Sequence, residues 1–314
     1  MRLLADIGGT NARFALLPPG GGAPEQERSV PCADYVGLEQ AARAYLASVG
    51  DPPVREAAID VATAVTGDLV RLTNSPWAFS IEQTRQQLGL ERLLVLNDFT
   101  ALALALPRLP AQAVRQVGRG APVPGAAIAL IGPGTGLGVS GLLPCGPRWT
   151  PIQGEGGHAA FSPMTEREDA VLGVLRERFG HVSTERLVSG PGLANLYEAL
   201  CKLERAPVRG LTPEQISAQG VAGTDSHCAE ALAMFCAALG TAAANLALTL
   251  GARGGVYIGG GIVPRLGASF DASPFRSRFE HKGRFSAYLA AVPTCVITAE
   301  YPALTGLAAA LETE

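Results

Sequence analysis

The sequence predicts an α/β protein built from two related halves, and three observations carry that reading. Short apolar runs alternate with segments of helical periodicity through the first third of the chain. One plan, an apolar strand, a glycine turn and a returning strand, occurs in "LLADIGGTNARFALLP" and again in "AAIALIGPGTGLGVSGLLP". Between them "RLPAQAVRQVGRGAPVPG" shifts to Pro, Gly and Arg, the composition of a junction. A length of 314 residues is generous for one domain and comfortable for two. With 47% hydrophobic and 17% charged residues, the chain is predicted to be globular and soluble.

In order, "RLLADIG" and "RFALLP" are predicted to pair as a hairpin, and "PPGGGAPEQE" (18–27) to be a loop. Residues 37–49 have helical spacing, while "AAIDVATAV" and "LVRLTN" are predicted strands. "SIEQTRQQLG" predicts a helix with Ser80 as N-cap, Gln83 at the capping-box position and Gly89 as stop. "LLVLND" is a buried strand and "FTALALAL" a helix ended by Pro107. Beyond the second hairpin the expectation is a loop (144–165), helices over about 166–250, a strand in "GGVYIGGG" and a C-terminal helix "ALTGLAAAL".

Charge and composition exclude several function classes. A net charge of −3 and a pI near 5.9 offer no broad electrostatic footprint for nucleic acid or an acidic membrane. The two lysines, Lys202 and Lys282, leave no place for a Walker A Gly-Lys-Ser/Thr. Cysteines 32, 145, 201, 228, 236 and 295 form no Cys-x-x-Cys pair and no zinc-finger spacing. They are expected to be free thiols in a reducing compartment. The uncharged stretch 231–250 is long enough to span a bilayer, but its alanines, Gly240, Thr241, Asn245 and Thr249 favour a buried helix. The N-terminus has no signal-peptide pattern. A cytoplasmic location, without membrane or nucleic-acid partners, is expected.

The glycine turns are the first candidates for chemistry. In "DIGGTNAR", Gly8 and Gly9 permit positive φ and close backbone approach, so that successive N–H groups can point at an anion. Asp6 before them can hold Mg²⁺ through water. An ordinary hairpin turn is the plainer reading of either glycine cluster alone. In "GPGTGLG", Gly134, Thr135 and Gly136 offer a second anion cradle. Gly136-x-Gly138-x-x-Gly141 matches a dinucleotide fingerprint in letters only, because "GVSGLLP" is a strand where that motif needs a helix. Two such hairpins can grip one polyphosphate without a P-loop lysine. The triplet Gly259, Gly260, Gly261 after a buried strand admits a flat ring such as adenine, or is merely a strand-to-helix turn.

In "LNDFTALALALP", Asn97 and Asp98 either start a helix or include a base that removes a proton. Taken singly, Glu155 and His158 in "QGEGGHAAF" read as a solvated carboxylate and a satisfied loop residue, and Glu185 in "GHVSTERLVSG" as a charged residue near a helix start. Together they supply acceptors and a donor suited to a polyol.

"DIGGTNARFALL", "TGDLVRLTNSPWAFSI", "LNDFTALALALP", "GPGTGLGV", "GEGGHAAFSP", "GHVSTERLVSGPGLANLY" and "GGVYIGGGIVPR" together closely resemble bacterial glucokinase. That is the ATP-dependent type within the sugar kinase, actin and heat-shock chaperone superfamily, and the likeness runs in order along nearly the whole chain. The related sugar kinases and repressors with a cysteine-rich zinc loop fit poorly, since only Cys145 lies near the corresponding region. The resemblance implies an α/β, two-domain actin-like ATPase (ribonuclease H-like) fold with an interdomain cleft. The small domain would be 1–108 completed by a C-terminal helix at 298–314, and the large domain 109–297. It implies that Asp6, Ile7, Gly8, Gly9, Thr10, Asn11, Gly134, Thr135, Gly136, Gly259, Gly260 and Gly261 bind ATP. Asn97, Asp98, Glu155, His158 and Glu185 would bind D-glucose, with Asp98 the base for the 6-hydroxyl and Mg²⁺ near Asp6. A homodimer serving glycolysis is the expected context. A kinase for another hexose, or a sugar sensor without catalysis, is the competing expectation. The chain departs from the family pattern at Ala64, where a proline precedes Val-x-Gly-Asp, and sugar affinity is the property this puts in doubt.

Overall fold

The computed structural model describes residues 1–73 and 75–313. Asn74, the last letter of one predicted strand, and Glu314, the end of the predicted C-terminal helix, lie outside the described residues.

The chain opens with β1 (Arg2–Ile7), β2 (Asn11–Leu17) and β3 (Glu25–Pro31), then α1 (Leu38–Ser48), β4 (Glu56–Val61), β5 (Leu69–Arg71) and β6 (Ala78–Ser80). It continues through α2 (Ile81–Gln87), β7 (Arg92–Asn97), α3 (Asp98–Ala105), β8 (Val114–Val117), β9 (Ile128–Pro133), β10 (Leu137–Cys145) and β11 (Arg148–Gly154). Next come α4 (Glu166–Phe179), α5 (Gly190–Leu203), α6 (Pro213–Ala222), α7 (Ser226–Leu250), β12 (Val256–Ile258) and α8 (Ile262–Leu266). Three short helices, α9 (Ala268–Asp271), α10 (Phe275–Glu280) and α11 (Ser286–Ala290), precede β13 (Thr294–Ile297) and α12 (Pro302–Thr313).

These elements form two compact units. One comprises Met1–Ala111, Cys145–Gln153 and Ala299–Glu314; the other comprises Gln112–Pro144 and Gly154–Thr298.

In the first unit a five-stranded sheet runs in the order β3-β2-β1-β4-β7. β1 and β2 are the predicted antiparallel hairpin, and β1, β4 and β7 are parallel. One face packs Leu3, Ile7, Phe14, Ala57 and Ile59 against α1, where Phe14 and Tyr45 stack with centroids 5.2 Å apart. The other face packs Leu4, Ala15 and Ala58 against Ala101 of α3 and Leu304, Leu307 and Leu311 of α12. Both faces are covered, so the inner strands read as unbroken apolar runs rather than as alternation. Each leucine buried there contributes about 1.5–3 kcal/mol by leaving water.

In the second unit the sheet runs β11-β10-β9-β12-β13-β8, six strands in all. β9 and β10 are the second predicted hairpin, and β12 lies parallel to β9. The core forms over this sheet and around α7, whose Phe235, Leu239 and Ala243 are wholly buried. The apolar stretch 231–250 is therefore a core helix. It is capped by Asp225, which accepts from the Cys228 amide at 2.8 Å.

Two expectations need correction. Residues 25–27 belong to β3, not to a loop, and 148–154 form β11 within the segment predicted to be irregular. β3 is almost wholly exposed and mostly charged or polar, and β11 is a mixed, half-exposed strand, so both pair through backbone hydrogen bonds without a clear apolar signature. The predicted strand "AAIDVATAV" stops at Val61.

Candidate active site

Asn97 and Asp98 sit where β7 ends and α3 begins. Asn97 is the N-cap: its Oδ1 accepts from the amides of Phe99 at 2.9 Å and Thr100 at 3.3 Å. Its Nδ2 donates to the Thr63 carbonyl at 3.3 Å, which ties the loop carrying Ala64 to the start of this helix. Asp98 follows as the first helical residue, half-buried, and its Oδ1 also accepts from the Phe99 amide at 2.9 Å. Asn97 thus supplies the cap of α3, and Asp98 shares the Phe99 amide with it at the carboxyl end of β7.

In the β1–β2 turn, Gly8 donates to the Asn11 carbonyl at 3.0 Å and closes the hairpin. Of the two freedoms glycine permits here, positive φ is not used at Gly8 or Gly9. A side chain at Gly8 would stand 3.2 Å from the Asn11 carbonyl, so the turn needs its glycine for closeness instead. Ile7 is in the core, which leaves only its backbone for a phosphate, while Thr10 is exposed and Asn11 half-buried. Asp6 accepts from Arg13 at 2.9 Å and keeps 17% side-chain exposure. Reachable by water yet already paired, it suits an outer-sphere hold on Mg²⁺ better than direct ligation.

Sequence reading missed Asp60. In the register of the sheet Arg13, Asp6, Asp60 and Leu96 form one lateral row across β2, β1, β4 and β7. Asp60 is fully buried, and neither of its oxygens meets a hydrogen-bond partner. Burial above all, and then the negative charges of Asp6 and Asp98, push its pKa well above the usual carboxylate range. The Asp6 carboxyl lies close enough to add to this rise, although the pair falls short of full hydrogen-bond geometry.

The second unit holds the other predicted residues. Gly134 and Gly136 close the β9–β10 turn through a Gly134 N–H to Gly136 carbonyl bond of 2.8 Å, and Thr135 is exposed at its tip. Glu155 stands exposed just before the helical turn Gly156–His158. Glu185 Oε1 lies 3.9 Å from His158 Nδ1, so these two predicted sugar residues are neighbours. Gly259, Gly260 and Gly261 link β12 to α8. Gly260 has φ +75°, and a side chain there would collide with the Pro133 carbonyl at the mouth of the β9–β10 turn. The triplet is thus a packed neighbour of that turn.

A pocket of about 910 Å³ runs from Gly134 and Thr135 to Gly261, roofed by Pro191 of α5, Ser217 and Val221 of α6, and Arg265 of α8. It has the size of a cofactor site and lies beyond the carboxyl ends of parallel β9 and β12. Gly136, Gly259 and Gly260 shape its rim without lining it. Its helical walls were missed from sequence. Thr212 and Gln215 form a capping box that announces α6, but nothing in that pattern says what the helix faces. Arg265 folds back to donate to the Gly261 carbonyl at 2.6 Å, laying a flat cation along the pocket edge.

Comparison with known proteins now fits this geometry. The family model described as Glucokinase matches residues 3–314. The chain belongs to the glucokinase family. It is 59% identical to the glucokinase of Chromobacterium violaceum over 310 residues, covering 99% of this chain and 89% of that protein. It is 56% identical to the glucokinase of Aromatoleum aromaticum, covering 99% of this chain and 94% of the other. The crystal structure of a glucokinase from an Antarctic psychrotroph superposes with a TM-score of 0.90 at 36% identity, covering 99% of this chain and 98% of that one. The actin-like ATPase fold implied by the resemblance is therefore the fold of this glucokinase-family chain.

Proposed function

We propose that this glucokinase-family enzyme, which phosphorylates glucose with ATP, uses Asp98 as the base that takes the 6-hydroxyl proton. The observation that supports this reading is the position of Asp98, a half-buried carboxylate at the carboxyl end of β7 whose neighbour Asn97 supplies the helix cap. Phosphoryl transfer to an alcohol needs an aligned hydroxyl, an acceptor for its proton and neutralisation of the moving phosphoryl. Asn97, Glu155, His158 and Glu185 orient the sugar by hydrogen bonds to its hydroxyls. The amides of the Gly8–Asn11 and Gly134–Gly136 turns hold the phosphates, and the 910 Å³ pocket takes the nucleoside. A ROK family glucokinase from Streptomyces griseus has been solved in complex with glucose and AMPPNP, which supports seating both substrates on this fold. Mg²⁺, held through water at Asp6, would neutralise charge on the transferring phosphate.

The small domain is proposed as 1–108 with the C-terminal helix, and the large as 109–297. We further propose a cytoplasmic homodimer that feeds glycolysis. The cysteines support a reducing compartment: all six are free, and burial pushes the Cys228 and Cys236 thiols up to about 11, so both stay protonated and inert at neutral pH.

The test is ATP-dependent phosphorylation across glucose, mannose, fructose and N-acetylglucosamine, with Asp98→Asn beside wild type. Preferred turnover of glucose that collapses in the variant supports the assignment. Bound glucose without turnover of any sugar would sink it.

A further inference from the structure

The sugar residues and the phosphate turn of the second unit are joined by one side chain. Glu185 Oε2 accepts the Leu137 N–H at 2.8 Å, and Leu137 is the first residue of β10, paired with Pro133 across the turn. Its other oxygen, Oε1, is the one beside His158. The fit at the turn is close: a side chain on Gly136 would stand 2.6 Å from Glu185 Oε2. A carboxylate bonded to an amide makes a charge-assisted hydrogen bond, stronger than the neutral bonds that close an ordinary hairpin.

Glu185 is itself held from both sides. The Thr184 N–H and hydroxyl donate to the Ala159 carbonyl at 2.8 and 3.2 Å, which fixes the segment to the His158 loop. The Ser189 hydroxyl donates to the Glu185 carbonyl at 2.8 Å and accepts from the Gly192 amide at 3.0 Å, capping α5. Gly190 N–H then donates to the Gly134 carbonyl at 2.8 Å. The stretch 185–190 therefore grips the phosphate turn twice, by a side chain at Leu137 and by backbone at Gly134. Gly190 and Pro191 go on to line the nucleotide pocket.

We propose that Glu185 is a positioning residue for the phosphate turn as well as a sugar ligand, so that sugar bound at Glu185 and His158 tightens nucleotide binding through the Leu137 amide. This rests on reading His158 and Glu185 as the sugar site. A sugar hydroxyl donating to Oε1 fixes the carboxylate plane, and with it the oxygen that holds Leu137. The turn is then ordered before the nucleotide arrives. By reciprocity, bound nucleotide tightens sugar to the same degree.

The test measures binding of the fluorescent N-methylanthraniloyl derivative of ADP with Mg²⁺, with and without glucose, and of glucose alone by calorimetry. In wild type, glucose should tighten nucleotide binding by about fivefold or more. Glu185→Ala should weaken nucleotide binding about tenfold even without sugar, and glucose should no longer change it. Glu185→Gln keeps a carbonyl for the Leu137 amide, so its sugar-free nucleotide affinity should stay within about threefold of wild type while glucose binding weakens. Gly136→Ala displaces the carboxylate from the other side and should also abolish the coupling, which keeps the test open if Glu185→Ala does not fold. Sugar-free nucleotide affinity unchanged in Glu185→Ala, with glucose weakened, would overturn the proposal and leave Glu185 a sugar ligand only. Glucose affinity unchanged in both Glu185 variants would overturn the coupling together with the sugar reading of this residue.

Discussion

Asp60 stands directly opposite Asp6 in the parallel pair β1–β4, fully buried and with neither carboxylate oxygen partnered. A group whose folded pKa is raised binds its proton more tightly in the folded state than in the unfolded one. Its contribution is complete below the unfolded pKa and is lost as pH rises toward the folded value. In that window each pH unit removes about 1.4 kcal/mol of stability.

Asp60→Asn deletes the titration and keeps the shape. The variant should be more stable than wild type at neutral pH, with a gain that grows as pH rises above the ordinary carboxylate range. Urea unfolding at several pH values measures it. A constant or negative difference would show that Asp60 is ionised and stabilised in the folded protein.

Asp98→Asn tests the base. Asparagine retains an Oδ1 that can accept from Phe99, and Asn97 still caps α3, so the helix start survives. The expected outcome is a kcat lower by about 10²–10⁴-fold with glucose affinity little changed. Steady-state kinetics beside calorimetric glucose binding separates the two. A kcat within a few-fold of wild type would move the base elsewhere, with Glu155 the next candidate.

How far these sites were legible in the sequence follows from where each signal resides. The two hairpins announced themselves because an apolar strand, glycines and a returning apolar strand are local events. The start of α3 was equally local, since Asn-Asp before an apolar helical run is a cap pattern. β3, with "EQERSVP", was hidden because an exposed edge strand is chosen for backbone pairing and solubility, not for packing. Asp60 was hidden differently. One acid inside "AAIDVA" looks like an outward-facing residue until α3 and α12 are seen to cover that face. The pocket walls on α5 and α6 were signalled only as helices, because which face a helix turns to a ligand is settled by packing.

Asn97→Ala removes the acceptor for two α3 amides and the tie to Thr63 together. Loss of the cap alone costs about 1 kcal/mol. Freeing the Thr63 loop should also weaken glucose, because the same side chain is assigned to the sugar. Asn97→Asp keeps the cap oxygen and loses the Thr63 bond. Its stability should stay near wild type while its KM for glucose rises. Equal destabilisation of both variants by chemical unfolding would place the importance of Asn97 outside its cap.

Gly260→Ala probes the join between the Gly259–Gly261 triplet and the β9–β10 turn, both proposed to hold the nucleotide. The substitution forces alanine to φ +75° and drives its side chain against the Pro133 carbonyl, at the end of β9 where the turn begins. The backbone cost is about 1–3 kcal/mol. Relief can come only from moving the triplet or the turn, and both border the pocket proposed for the nucleotide. The variant should therefore raise KM for ATP several-fold and lower the unfolding midpoint. Glucose affinity measured without nucleotide should fall less than ATP affinity, because Asn97, Asp98, Glu155 and His158 are untouched and only Glu185 is tied to the turn. An unchanged KM for ATP in a folded variant would mean that the pocket bounded by Gly134, Gly261 and Arg265 does not hold the nucleotide.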